Sequence, residues 1–98
     1  MPELEPRVEA STVLRVAESV LKRTAGHETV LLDLDSEEFF GLDGVGARVF
    51  ELFGQPRRLD AVVDTLLGEY DVDRETLTAD VTDLVTDLVE RKLLVVDA

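Results

Sequence analysis

The chain is 98 residues long, which is the length of one small domain that can bury its own core. Its 22 acidic and 10 basic residues give a net charge of −12 at neutral pH. This charge repels nucleic-acid phosphates and anionic membrane surfaces, so we expect no nucleic acid and no membrane as a partner. The lack of cysteine excludes disulfide bonds and thiolate metal sites.

The amino-terminal sequence MPELEPRVEA lacks the basic and apolar regions of a signal peptide. No apolar run approaches the roughly 18 residues that a membrane-spanning helix needs. We therefore predict a flexible acidic arm over residues 1–12, one domain over residues 13–98 and a cytoplasmic location.

A meander of three short strands is predicted in the first half of the chain. Val13–Val16 and Ser19–Thr24 are extended in character, and Gly26 marks a hairpin turn because glycine tolerates a tight reversal. Thr29–Asp35 and the very short Glu38–Leu42 follow as further strands. The last three of these four segments are expected to pair as a three-stranded antiparallel sheet.

Side-chain alternation gives the predicted strands two distinct faces. Val30, Leu32 and Leu34 share one face of the second strand of this meander, and the opposite face is mostly polar. Phe39 and Phe40 are adjacent, so they point to opposite faces of the third strand. One of these phenylalanines is expected in the core, while the other covers a groove or lies exposed.

Three helices are predicted after the sheet. The first, Val45–Phe53, has Asp43 as its expected N-cap, and Leu59–Tyr70 forms the second. The third begins after a second aspartate cap, Asp73, and runs to about Lys92. Its apolar stripe is the clearest helical repeat in the chain.

The fold class that follows is α+β, with a three-stranded antiparallel sheet followed by three helices in a winged helix-turn-helix-like arrangement. Leu93–Val96 is expected to add a short terminal strand. Such folds usually bind DNA, but the third helix exposes Asp80, Asp83 and Asp87, which would meet phosphates with the wrong sign. The charge therefore argues against DNA binding.

A groove is predicted between the third strand and the third helix. Its apolar floor would come from one stripe of that helix, Leu77, Val81, Leu84, Val85 and Leu88. Asp80 and Asp87 lie to one side of the stripe, and threonines such as Thr82 lie to the other; the sequence leaves open which side lines the groove. Ordinary surface positions explain both sides equally well. As a functional groove, the surface would suit an extended basic or amphipathic peptide.

No catalytic, metal or cofactor site is predicted. His27 is the only histidine, and it falls in a predicted turn without a cysteine or serine partner. The acidic segment that starts at Asp33 fails as a calcium loop, because Glu38 replaces the sixth-position glycine and Gly44 replaces the twelfth-position glutamate.

Two neighbouring stretches of the chain resemble the PqqD-like family. They are VLLDLDS at residues 30–36 and FFGLDGVGARVFEL at residues 39–52, and LDAVV, EYDV and RKLL downstream also fit. The resemblance covers roughly residues 14–96. Two positions depart from the family pattern: Asp43 stands where asparagine is frequent, and Arg58 where a capping threonine is frequent.

The resemblance implies a non-catalytic recognition element for the precursor peptides of ribosomally synthesised, post-translationally modified peptides (RiPPs). A leader segment would add as an antiparallel strand to Glu38–Leu42 and lie against the third helix. The predicted peptide-binding residues are Glu37, Glu38, Phe39, Phe40, Gly41, Leu42, Leu77, Asp80, Val81, Leu84, Asp87 and Leu88.

The resemblance leaves more than one pathway open. We favour a stand-alone element of lasso-peptide biosynthesis, which delivers the precursor to a leader peptidase or other modifying enzyme. The alternative is a PqqD-type peptide chaperone for pyrroloquinoline quinone or for another peptide modified by a radical SAM enzyme. A winged-helix transcription regulator is the third reading.

Overall fold

The computed structural model of the protein describes residues 8–26 and 28–97. Residues 1–7 of the predicted arm, and His27, lie outside the described residues. In chain order the elements are β1 (Val13–Val16), β2 (Val20–Ala25), β3 (Glu28–Asp33), β4 (Glu38–Asp43), α1 (Gly44–Leu52), β5 (Arg57–Arg58), α2 (Leu59–Leu67), α3 (Arg74–Glu90) and β6 (Leu94–Val96).

The predicted meander is present as an antiparallel sheet in the order β2-β3-β4. Pairing is continuous from Val20 opposite Asp33 to Ala25 opposite Glu28, and β4 pairs along the other side of β3. β3 is therefore central, and β2 and β4 are the two edges of this sheet. The three predicted helices follow it, which confirms the α+β class.

A second three-stranded sheet, in the order β5-β1-β6, was not predicted. Val13–Val16 is its central strand and pairs antiparallel with both β5 and β6. The terminal strand was expected, but β5 consists of only two arginines, Arg57 and Arg58, and so has no alternation to detect. Residues 8–12 precede β1, and the carbonyls of Ala10 and Thr12 accept hydrogen bonds from the start of α2.

The turn between β3 and β4 begins earlier than predicted. The carboxylate of Asp33 accepts a hydrogen bond from the Asp35 N–H at 3.0 Å, and its carbonyl accepts one from the Glu37 N–H at 2.7 Å. Glu37 adopts a positive φ of 61° to close the turn. The strand predicted to reach Asp35 therefore ends at Asp33, and Leu34 lies exposed in the turn.

Both predicted N-cap residues lie at the start of their helices, but only one of them makes the capping hydrogen bond. The Asp73 carboxylate accepts a hydrogen bond from the Thr76 N–H at 2.9 Å at the start of α3, and this bond lowers the pKa of Asp73. Asp43 occupies the N-cap position of α1, but its side chain makes no capping hydrogen bond. The second helix ends at Leu67, before the predicted Tyr70, because the chain turns at Gly68.

The core lies between the three helices and the inner faces of the sheets. Its largest fully buried side chains are Phe50 and Phe53, which α1 and its C-cap supply. From β3 the core takes Leu31, while Val30 on the other face of the strand is 36% exposed. The meander therefore buries its less apolar face and leaves the more apolar one at the surface.

We expect Phe50→Ala to lower the free energy of unfolding by about 3–5 kcal/mol, because a fully buried aromatic ring leaves a cavity. Phe39→Ala is the matched control, since Phe39 is 70% exposed, and it should change stability by less than about 0.5 kcal/mol. Urea unfolding followed by circular dichroism measures both. Equal losses in the two variants would contradict the assigned core.

Candidate functional site

The outer edge of β4 carries unpaired backbone groups. In an antiparallel sheet each strand alternates its N–H and C=O groups between its two neighbours, and β4 has only β3 beside it within the described chain. Alternate residues between Glu38 and Asp43 therefore present free donors and acceptors. Glu37 lies outside the strand and its N–H already bonds to Asp33, so it contributes no donor to this edge.

Two hollows form a groove beside this edge. The edge hollow, about 340 Å³, lies between β4 and the carboxyl-terminal half of α3. The helix hollow, about 360 Å³, lies between the start of α1, the segment around Tyr70 and Val72, and the first half of α3. Leu84 lines both hollows, so they adjoin along α3.

The structure decides which side of the α3 stripe faces the groove. Asp80 lines the helix hollow, and Asp87 lines the edge hollow. Thr78, Thr82 and Thr86, on the other side of the stripe, line neither. Leu77, Val81 and Leu88, which were predicted as binding residues, are nearly fully buried and form the floor of the groove.

A basic side chain that was not predicted for the site lies in the edge hollow. The Arg91 guanidinium is 5.4 Å from the centre of the Phe40 ring and donates to the Asp87 carboxylate at 3.0 Å. Asp87 is therefore partly neutralised, whereas Asp80 has no cationic partner among the described residues. The spacing of Asp87 and Arg91 by one helical turn was the available sequence signal.

Phe39 and Phe40 point to opposite faces, as predicted. Phe40 pairs with Leu31 on the inner face, shares that face with Leu42, and packs against the core. Phe39 pairs with Leu32 on the outer face and is 70% exposed. The expectation that one phenylalanine enters the core and the other lies exposed is confirmed.

An ion-pair cluster holds two walls of the helix hollow together. Arg48 of α1 donates from Nε and Nη2 to the Glu69 carboxylate at 2.9 and 2.7 Å, and from Nη1 to Glu51 at 2.8 Å. Glu69 directly precedes Tyr70, which lines the hollow. The guanidinium lowers the pKa of Glu69, mainly through the hydrogen bond, and raises its own.

The other edge of the meander is different in character. The hollow beside β2 is lined by Lys22, Thr24 and Thr29 together with Arg48 and Glu51 of α1. It is smaller, about 160 Å³, and does not reach α3. Within the described chain, the β4 edge adjoins a groove that runs along α3 to the mostly apolar helix hollow, and the β2 edge does not, which makes β4 the better candidate for binding an extended chain.

Residues 8–26 and 28–97 contain no group of three His, Cys, Asp or Glu side chains placed to hold a metal ion. Within the same described part, none of the helices is long and apolar enough to cross a bilayer.

Comparison with known proteins identifies the family. The family described as coenzyme PQQ synthesis protein D (PqqD) matches residues 28–94, from β3 to the start of β6. This chain belongs to the PqqD family. The predicted resemblance is thereby confirmed, and the match includes both the free strand edge and the whole of α3. No curated protein sequence matches the chain.

Solved structures of similar proteins include two bound to peptides. TbiB1 in complex with the TbiA(β) leader peptide is 35% identical, with a TM-score of 0.77, over 82% of this chain and 93% of that one. A lasso peptide synthetase B1 complexed with its leader peptide is 26% identical, with a TM-score of 0.75, over 84% and 96% of the two chains.

A third solved structure supports the fold alone. It is the PqqD truncation of Methylobacterium extorquens PqqCD, described as a functional, stand-alone RiPP recognition element. It is 23% identical, with a TM-score of 0.75, over 90% of this chain and 94% of that one. This likeness shows that the two chains share the same α+β fold.

We expect the pKa of Glu69 to lie below the ordinary glutamate value of 4.5, because Arg48 hydrogen-bonds its charged form. The ion pair therefore stabilises the fold at pH values above the ordinary glutamate pKa. This stabilisation is lost as the pH falls through the lowered pKa of Glu69 in the folded protein. Carboxyl ¹³C shifts followed through a pH titration measure it. Arg48→Gln should return the midpoint to the ordinary value.

Arg58→Gln is the control for this titration. Arg58 pairs with Asp60 and makes no contact with Glu69, so its loss should leave the Glu69 midpoint unchanged. A Glu69 midpoint that is the same in Arg48→Gln as in the wild-type protein would show that the ion pair does not form in solution.

Proposed function

We propose that this protein captures the leader segment of a ribosomally made precursor peptide by adding it as a strand to β4. The observation that carries the proposal is the placement of a free antiparallel edge, Glu38–Asp43, beside a groove along α3 that leads to the mostly apolar helix hollow. The two peptide-bound relatives support it, since each is complexed with a leader peptide.

Backbone pairing and side-chain burial have separate roles in this binding. Each backbone hydrogen bond contributes a net stabilisation of only about 1 kcal/mol, and it does so for almost any sequence. Burying one leucine-sized side chain contributes about 1.5–3 kcal/mol. The helix hollow, with Leu77, Val81 and Leu84 in its lining, therefore supplies most of the affinity and most of the selectivity.

Charge favours a basic or amphipathic leader. Asp80 stands unpaired at the helix hollow and Glu38 at the start of the strand, and the chain as a whole carries −12. An acidic peptide would be repelled during its approach, whereas a basic one would be attracted. The predicted binding residues Phe40, Leu42 and Leu84 would contact the apolar side chains of the peptide.

The protein acts in this proposal without catalysing a reaction or using a cofactor. By holding the leader, it raises the effective concentration of the attached core peptide near a partner enzyme. The partner we favour is a leader peptidase of a lasso-peptide pathway, since one of the two peptide-bound relatives is a lasso peptide synthetase B1. The alternative partner is a radical SAM enzyme acting on a precursor of pyrroloquinoline quinone.

The direct test is a ¹H–¹⁵N titration with the TbiA(β) leader peptide and, separately, with a precursor peptide of pyrroloquinoline quinone. Saturable binding should shift amides of Glu38–Asp43 and of α3, and hydrogen exchange should slow at alternate β4 residues. A scrambled peptide of the same composition is the control. Shifts confined to β2 or to the β5-β1-β6 sheet would contradict the proposed site.

Asp80→Lys should weaken binding of a basic leader about tenfold through like-charge repulsion at the groove, without changing the melting temperature. Asp83→Lys is the matched control, since it makes the same charge change on the same helix at an exposed residue that lines neither hollow. Fluorescence anisotropy measures both affinities. Equal weakening by the two variants would mean that only net charge matters.

Phe40→Asp should damage both folding and binding, because Phe40 packs on the core and lines the edge hollow. Melting temperature and peptide affinity are measured on the same sample. A variant that melts and binds like the wild-type protein would exclude Phe40 from the site.

A further inference from the structure

Gly41 is a glycine that the free protein does not require. It lies in the middle of β4, where glycine weakens a strand because it has no side chain to pack and costs more conformational entropy. Its φ is not positive, unlike those of Gly26 and Gly44. A Cβ placed on Gly41 would also meet no atom within 4 Å.

Neither backbone conformation nor packing in the free protein therefore calls for a glycine at this position. A glycine inside a strand often marks a place where a ligand approaches the backbone closely. Gly41 lies on the edge strand that the proposed function assigns to the peptide, and it lines the edge hollow. The peptide strand would run directly beside it.

The surroundings of Gly41 define what would fill the space. Gly41 pairs with Val30, so it lies on the outer face of the meander, and Phe39 is its neighbour on that face. Val30 is 36% exposed and Phe39 is 70% exposed. Because Gly41 has no side chain, it leaves an open notch in the row of side chains on this face, with Phe39 two residues before it on β4 and Val30 opposite it on β3.

The outer face continues beyond this notch. A hollow of about 520 Å³ extends from Phe39 and Leu32 across to Leu21 on β2. Arg23 in its lining pairs with Val30 and so lies on this outer face, whereas Lys22 pairs with the buried Leu31 and lies on the inner face. Arg23 forms no ion pair with a described residue. This face is therefore apolar with a basic border, opposite in charge to the acidic groove along α3.

We propose that Gly41 and Phe39 form a second subsite, on the outer face, which selects a large apolar side chain of the added peptide strand. This inference rests on the proposed function. A strand added to β4 points alternate side chains inward to the α3 groove and outward to this face. The residue opposite Gly41 points outward, and a large side chain there covers the glycine and packs on Phe39.

The subsite gives the peptide a two-sided pattern. Its inward side chains meet the apolar groove and Asp80, which favours apolar and basic residues. Its outward side chain at Gly41 meets Phe39 and Val30, with Arg23 paired to Val30 on the same face, which favours an aromatic or large aliphatic residue and disfavours lysine and arginine. Gly41 is therefore a specificity-determining residue.

The test is a selection from an mRNA-displayed library of randomised 20-residue peptides. It is run separately against the wild-type protein, Gly41→Val, Gly41→Ala and the control Gly68→Ala. Gly68 follows α2 with an ordinary right-handed φ and lines neither hollow of the groove. Gly68→Ala is therefore the same glycine-to-alanine change as Gly41→Ala, made away from the site. Melting temperatures are measured for all four proteins.

The wild-type and Gly68→Ala proteins should enrich peptides with a large apolar residue at one outward position. Gly41→Val and Gly41→Ala should melt no lower than the wild type, because strand propensity rises and nothing is displaced. Both should lose that preference, and Gly41→Val should bind a wild-type-selected peptide about tenfold more weakly.

A double-mutant cycle then isolates the contact. Replacing the outward residue of a selected peptide by alanine should weaken wild-type binding about tenfold and leave Gly41→Val binding almost unchanged. Phe39→Ser should reduce the preference for a large apolar residue at the outward position without a loss of stability. This variant tests the subsite even if both Gly41 variants fold poorly.

The outcomes separate the two proposals. The subsite would be overturned, and the proposed function would stand, if selected peptides bind the wild-type protein at the β4 edge but tolerate every residue opposite Gly41. In that case Gly41→Val would also leave their affinity unchanged. A wild-type protein that enriches no peptide, or binds all peptides away from β4, would overturn the proposed function and the subsite with it.

Discussion

The burial of a single face of the β2-β3-β4 sheet is the constraint on which the rest of the structure depends. Leu31 is fully buried on that face, and Phe40 and Leu42 pack beside it against the helices. This packing fixes β4 next to α3 and leaves no described element to pair with its far edge. The groove and the free backbone groups therefore arise from the same contacts, which fold the domain and prepare it to bind.

The two edges of that sheet differ because the helices beside them differ. β4 lies beside the apolar stripe of α3, whereas β2 lies beside the face of α1 that carries Arg48 and Glu51, where Arg48 is already engaged with Glu51 and Glu69. An exposed edge strand is a hazard for aggregation, and a high net charge of one sign opposes self-association. The acidity of the chain therefore opposes self-association along this edge, and in the proposed function it would also favour a peptide of the opposite sign.

Much of the fold was predictable because its signals are local. The alternation of the meander, the heptad-like stripe of α3 and the cap at Asp73 depend on residues close together in sequence, and all three are present. β5 was missed because two arginines pair with β1 only through a contact distant in sequence. Arg91 was missed in the site for a similar reason: its contact with Phe40 crosses from the last turn of α3 to the sheet.

The sequence by itself determined the number of helices, the meander, the opposed directions of Phe39 and Phe40, and the family. Only the tertiary structure decided which face of the meander is buried and which side of α3 lines the groove. Alternation with a period of two gives a strand two faces, and helical periodicity gives a stripe two flanks, but neither says where the helices pack. Here packing buried Thr29, Leu31 and Asp33 and turned the more apolar face of Val30 to the surface. That inversion is what places Phe39 and Gly41 at an open surface.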